Sequence, residues 1–211
     1  MRIKLTGGVA ESGVVVGNAF DKYNSKNPLV NLIMSRFQTD LDALVRVANP
    51  RDIHEVGCGE GFWTLRWLDA GYDARGSDFS SIAITLAQSN SISRGFPIQI
   101  FKSCSIYDLD TYDSADLIVC CEVLEHLEDP FLAIKKLKGI TKKYLILSVP
   151  REPVWRILNC IRGKYLDDFG NTPGHIQHWS KRGFIEMVSS QFEVVEVRNP
   201  LPWTMVLCKL K

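Results

Sequence analysis

Residues 54–61, HEVGCGEG, set glycines at 57, 59 and 61 directly after a short apolar run. Glycine at alternate positions lets the backbone turn left-handed and lets a ligand touch main chain that a side chain would shield. Glu55 and Glu60 add negative charge beside this loop. A second group stands at 120–130, CCEVLEHLEDP, where Glu122, Glu125 and His126 crowd two carboxylates and an imidazole together. Three readings fit that set. It can be helix-start chemistry, with carboxylates at a helix N-terminus and His126 on a backbone group. His126 or Glu122 can take a proton from a substrate. Or the cluster can hold magnesium or a softer ion. A third group is GHIQHWS, 174–180, with His175 and His178 three apart. His175 either bonds the backbone leading into the next helix or acts on a substrate as a base or orienting group.

The elements that carry these groups alternate. Residues 52–56 read as a strand, followed by the glycine turn and a helix over 62–70 that Gly71 can end. A second strand is expected at 74–78, then a helix capped by Ser80 or Ser81 and running to about 93. Strands are expected at 98–102, 115–121 and 144–149. Asp129-Pro130 starts a helix that Gly139 ends. Alternating strand and helix means a parallel sheet covered on both faces. The tail differs: a helix capped by Ser180, then two strands joined by NPLP (199–202), an antiparallel addition at the sheet edge. Residues 18–48 carry an amphipathic helix pattern. Residues 150–179 are long for a connection and read as a lid-like insertion. The expected division is 1–48, an N-terminal helical lid segment, and 49–211, the main domain. Segment 153–165 alternates apolar and basic residues, so it reads as an amphipathic helix over a hydrophobic substrate, as a membrane contact, or as a helix packed on the sheet.

A dinucleotide loop needs G-x-G-x-x-G, but Phe62 stands where the third glycine would fall, and Gly61 precedes it. Acidic residues beside the loop suit a ligand with a cationic centre better than a pyrophosphate. S-adenosylmethionine, with a sulfonium and an ammonium, is such a ligand.

EVGCGEG resembles motif I of the class I (Rossmann-like) methyltransferases, and further motifs agree in order. GSDFS (76–80) resembles the end of the family's second strand, CSIYDL (104–109) its adenine-side turn, and CCEVLEHLEDP its EVLEH signature. GHIQHWS resembles the entry to the penultimate helix. FDKYNSKNP (20–28) is similar to the lid of small-molecule members. The resemblance implies a seven-stranded α/β sheet of order 3-2-1-4-5-7-6 with helices on both faces. It implies S-adenosylmethionine as cofactor and S-adenosylhomocysteine as product. Cofactor contacts are then expected from Glu55, Gly57, Cys58, Gly59, Gly61, Asp78 on the ribose, Phe79, Ser105, Ile106, Cys121 and Tyr23. His175, His126 and Glu122 become the candidates for acceptor chemistry. Ubiquinone-pathway O-methyltransferases of this family carry a divalent-ion dependence linked to a similar E-x-x-E-H cluster. An ion is therefore weighed, but no residue is assigned as a metal ligand. The acceptor is expected to be a small molecule, with a lean toward oxygen because three candidate bases are present. N- or C-methylation, or a non-catalytic cofactor-binding protein, stay open.

The rest of the composition is consistent with this. The 211 residues are 45% hydrophobic and 23% charged, with a formal net charge of +1. No basic block points to nucleic acid, and no apolar run is long enough to span a bilayer. The N-terminal stretch is a poor signal peptide. Six cysteines without C-x-x-C spacing read as reduced thiols in a cytoplasmic protein. A monomer or a homodimer is expected.

Overall fold

The computed structural model describes residues 3–11, 14–18 and 20–211. Parts of the expected N-terminal segment, at 1–2, 12–13 and 19, lie outside these residues. Seven strands form one sheet: β1 (Asp52–Val56), β2 (Asp73–Asp78), β3 (Phe101–Ser103), β4 (Ala115–Cys121), β5 (Thr141–Pro150), β6 (Phe192–Arg198) and β7 (Trp203–Leu210). Their order is β3-β2-β1-β4-β5-β7-β6. The first five strands run parallel, while β7 pairs antiparallel with both β5 and β6. The α/β architecture is the expected one. A two-residue ribbon, Ala10–Glu11 with Val14–Val15, lies outside the sheet.

The helices are α1 (Pro28–Ala48), α2 (Phe62–Asp69), α3 (Ser81–Ile92), α4 (Pro130–Ile140), α5 (Val154–Ile161) and α6 (Lys181–Ser189). Strand β4, ADLIVCC, is apolar on both sides, as a central parallel strand must be. Its Ile118 and Cys120 pack with Ile134 and Leu137 of α4 and Phe184 of α6. Its Leu117 and Val119 pack with Leu41 and Leu44 of α1 and Trp67 of α2. The second half of α1 is thus part of the core layer on that face. Asn27 caps α1 by accepting from Leu29 N at 2.9 Å, and Pro28 follows at the first helical position.

Two local expectations need correcting. Strand β3 is confined to 101–103, because Ile98–Ile100 form a single 3-10 turn. Gly139 does not end α4: the helix continues to Ile140 and feeds straight into β5. Thr141 Oγ1 donates to Leu137 O at 2.7 Å and satisfies a terminal carbonyl that a glycine cap would otherwise have served.

Candidate active site

The candidate groups from Glu55 to His126 sit at or just past the carboxyl ends of the parallel strands, where open α/β sheets bind ligands. A cleft of about 960 Å³ opens there. The glycine loop forms its floor. Gly57, Gly59 and Gly61 all have positive φ, at 78°, 52° and 82°. Space excludes side chains at two of them. A Cβ on Gly57 would overlap Val123 Cγ2, and one on Gly61 would come within 2.5 Å of Phe101 Cζ. At Gly59 the nearest atom would be 3.8 Å away. The protein's own packing therefore demands the outer two glycines, and Gly59 is the one that leaves room.

Asp78, at the end of β2, holds this loop. One carboxylate oxygen accepts from Gly59 N at 2.8 Å, and the other accepts from Ser80 N at 2.9 Å. Burial pushes its pKa up, and these two N–H groups oppose the rise. Ser80 itself caps α3 through Ala83 N. Glu55, next to last in β1, lines the cleft and accepts from Thr64 N at 2.9 Å and Thr64 Oγ1 at 2.5 Å. Burial lifts its pKa to about 8.

Glu60 requires a correction. It does not face the cleft with Glu55. Its carboxylate is 1% exposed and accepts from Thr6 N, Thr6 Oγ1, Asn18 N and Asn18 Nδ2 at 2.7–3.1 Å. It fastens the N-terminal strand over the glycine loop. Glu11 repeats the device, accepting from the Ser80 and Ser81 hydroxyls at 2.5 and 2.7 Å. The strap brings Val16, Gly17 and Asn18 into the cleft wall, followed by Lys22 and Tyr23. Of these, only Tyr23 is among the contacts expected from the sequence.

Phe79 is 49% exposed and lines the cleft with Cys58, Ser105, Ile106 and Cys121. Ser105 also caps the short turn Ile106–Asp108 by accepting from Tyr107 N. The Tyr23 ring stacks on Phe62 with centroids 3.5 Å apart and meets Trp63 edge-on. Phe37, Trp63 and Trp203 continue an aromatic wall. Trp203, read from sequence only as a strand residue, is part of the site.

Glu122 follows β4 with φ +60°, a left-handed backbone that a non-glycine residue adopts at a cost. Its side chain lines the cleft. It accepts from Ser148 Oγ at 3.1 Å and from Trp203 Nε1. Burial raises its pKa to about 7, and the Lys22 charge works against that rise. His126 also lines the cleft, and its Nδ1 lies 2.9 Å from Gly174 O. Burial lowers its pKa.

His175 departs from the position expected of it. It is 8% exposed and stands behind His126, ring centroids 4.9 Å apart, rather than on the cleft wall. Trp155 of α5 covers its other side. Burial, then its histidine neighbours, bring its pKa down to about 3. Contact between His175 and a substrate is therefore screened by His126. Nor do Glu122, Glu125 and His126 form one set. Glu122 is engaged by Ser148 and Trp203, whereas Glu125, His126 and His175 each offer a donor atom, all within 4.8 Å of one another.

Residues 54–147 match the family model described as a methyltransferase domain. Ubiquinone biosynthesis O-methyltransferase of Bordetella avium (strain 197N) is 26% identical over 94 residues, 44% of this chain and 39% of that protein. The enzyme of the same name from Haemophilus ducreyi (strain 35000HP / ATCC 700724) is 28% identical over 98 residues, 44% and 41% of the two chains. The match thus spans less than half the length of these curated relatives. Among solved structures, magnesium protoporphyrin IX methyltransferase from Synechocystis PCC 6803 with bound SAH aligns over 92% of this chain and 94% of that one, with TM-score 0.67 and 20% identity. PH0226 protein from Pyrococcus horikoshii OT3 aligns over 90% and 94%, with TM-score 0.68 and 17% identity. The chain thus shares the fold of these structures, and residues 54–147 are similar to a methyltransferase domain. No described helix is long and apolar enough to cross a membrane.

Proposed function

We propose that this protein binds S-adenosylmethionine along the glycine loop and transfers its methyl group to an oxygen of a small, partly apolar acceptor. One observation carries this reading: a single cleft runs from Gly59 and Asp78 to Glu122 and the aromatic wall. Asp78, with both oxygens already anchored by backbone N–H groups, keeps lone pairs for ribose hydroxyls. Glu55, Gly57, Cys58 and Gly61 shape the methionine end, and Phe79, Ser105 and Ile106 the adenine end. Cys121 lies between, and Tyr23 closes from the strap side.

Methyl transfer is a displacement at carbon with a good leaving group already in place. The protein's task is to align acceptor, methyl and sulfur and to keep water out. The acceptor's hydroxyl proton still has to leave. Glu122 is the base in this reading: it lines the cleft, is held by two donors, and has a pKa near neutrality, where a base works best. Tyr23, Phe37, Trp63 and Trp203 give the acceptor a flat apolar wall, which favours a hydroxylated aromatic ring. The similarity to ubiquinone biosynthesis O-methyltransferases supports oxygen as the target. Six free cysteines fit a reducing compartment, so the cytoplasm is the proposed location.

The test is an assay of labelled methyl transfer from S-adenosylmethionine to matched phenols, anilines and aliphatic alcohols. Transfer to phenols, lost in Glu122→Gln with cofactor binding retained, is expected. Preferential transfer to the anilines would overturn the oxygen assignment.

A further inference from the structure

The helix and turn that open the insertion after β5 carry apolar side chains that the cleft does not use. Ile157 and Ile161 stand one helical turn apart on α5, so they share a face, and both are exposed. From Ile161 to Phe169 every residue is exposed. That run holds Ile161, Tyr165, Leu166 and Phe169, with Ile161 75% and Phe169 78% exposed. Single apolar side chains at a surface are ordinary, but this many on one small unit mark an interaction surface.

The unit is built rather than loose. Arg156 donates from Nε to Phe169 O at 3.0 Å and from Nη2 to Asp168 O at 3.2 Å. The buried Asn159 donates through Nδ2 to Gly170 O at 2.9 Å, while its own carbonyl accepts from Lys164 N at 2.9 Å. Gly170 is pressed so closely on α5 that a Cβ there would overlap Arg156 O. The turn is thus folded back on the helix. Tyr165 and Phe169 both hold left-handed backbone, with φ of 55° and 47°, which is unfavourable for aromatic residues. Strain kept at two exposed aromatic positions points to a use for those rings.

The charges on the same run say what fits it. Arg162 and Lys164 precede Tyr165, and Asp167 and Asp168 follow Leu166. These two cations and two anions leave the exposed run neutral, so it has no net attraction for an anionic lipid surface. None of the four makes an ion pair among the described residues. A two-fold axis through the apolar centre sets each basic pair on the acidic pair of the other copy, as a self-complementary interface requires. We propose that residues 157–169 are the surface through which two copies of this chain associate. Trp155 on α5 lies against His175 and Trp203, so the interface backs directly onto the aromatic end of the cleft.

Sedimentation equilibrium of the full chain over a series of concentrations is the test. The wild type should approach twice the chain mass, and Phe169→Asp should weaken association by at least about tenfold. Charge exchange supplies the second arm. Arg162→Glu with Lys164→Glu, and Asp167→Lys with Asp168→Lys, should each be monomeric alone and associate when mixed, because the acidic copy then meets the basic one. That recovery separates pairing between copies from a folding defect, and circular dichroism checks each variant. Where a variant does not fold, hydrogen exchange of the wild type decides: amides of 157–169 should exchange more slowly at high concentration than at low. A wild type that stays monomeric, association untouched by Phe169→Asp, no association in the mixture of folded charge variants, or exchange independent of concentration would overturn the interface. So would a monomeric wild type that sediments with phosphatidylglycerol vesicles, which would assign the surface to a membrane.

Discussion

At the glycine-loop end of the cleft, every buried carboxylate has its donors. Glu55 has Thr64, Asp78 has Gly59 and Ser80, and Glu60 has Thr6 and Asn18. At the other end Glu122 sits on left-handed backbone, Glu125 has no donor, and two imidazoles crowd one another. The first end is organised as a folded core is, with polar groups paired and shapes filled. The second holds uncompensated polar groups and strain, which a protein retains where they serve a reaction or a ligand. Substitutions at the two ends should therefore separate stability from activity.

The largest effect is expected at the strained end. Glu122→Gln should cut kcat by roughly 10²–10⁴-fold, the span of a lost general base, while the melting temperature stays the same or rises, because a buried charge is gone. A fall in melting temperature as large as that of a loop glycine variant would break the comparison. Next comes Gly57→Ala, whose Cβ meets Val123 on backbone suited to glycine. We expect a loss of about 3 kcal/mol in denaturant unfolding. Asp78→Ala removes charge-assisted hydrogen bonds and the anchor of Gly59. S-adenosylhomocysteine should bind roughly 10- to 100-fold more weakly by calorimetry. Glu60→Gln releases one fastening of the strap, so cleavage within residues 3–18 by a nonspecific protease should accelerate, with a change of only a few-fold in cofactor affinity. A further expectation concerns pH. Burial raises the Glu55 pKa from 4.5 to about 8, so the folded state holds its proton more tightly than the unfolded chain does. Stability from this group is full below pH 4.5 and is lost as pH rises toward 8. Melting temperature should decline across that window in the ligand-free protein, and Glu55→Gln should flatten the decline.

The glycine-loop end was also the more legible in sequence. Alternation of strand and helix, the glycines and Asp78 are local patterns, and local patterns survive folding. The strap was not legible, because its bonds join Thr6 to Glu60 and Glu11 to Ser80 across more than fifty residues of chain, and residues 3–18 have no helical or strand period. Glu60 therefore read as ligand-facing charge when it is a fastening. Trp203 and Ser148 read as strand residues, and nothing in their own spacing says that they hold Glu122. From sequence, His175 is a candidate to act on the substrate. Its burial behind His126 depends on how the 150–179 insertion folds back, and that is set by Glu125 O and Gly174 O rather than by any motif.

In the proposed function the cleft is an adenosyl-ligand site shaped by the glycine loop. Calorimetric titration of the purified protein with S-adenosylhomocysteine, with NAD as the control, tests it most directly. We predict saturable binding at one site per chain with micromolar affinity, and no heat from NAD. Absence of S-adenosylhomocysteine binding to the folded protein, or binding of NAD in its place, would contradict the account.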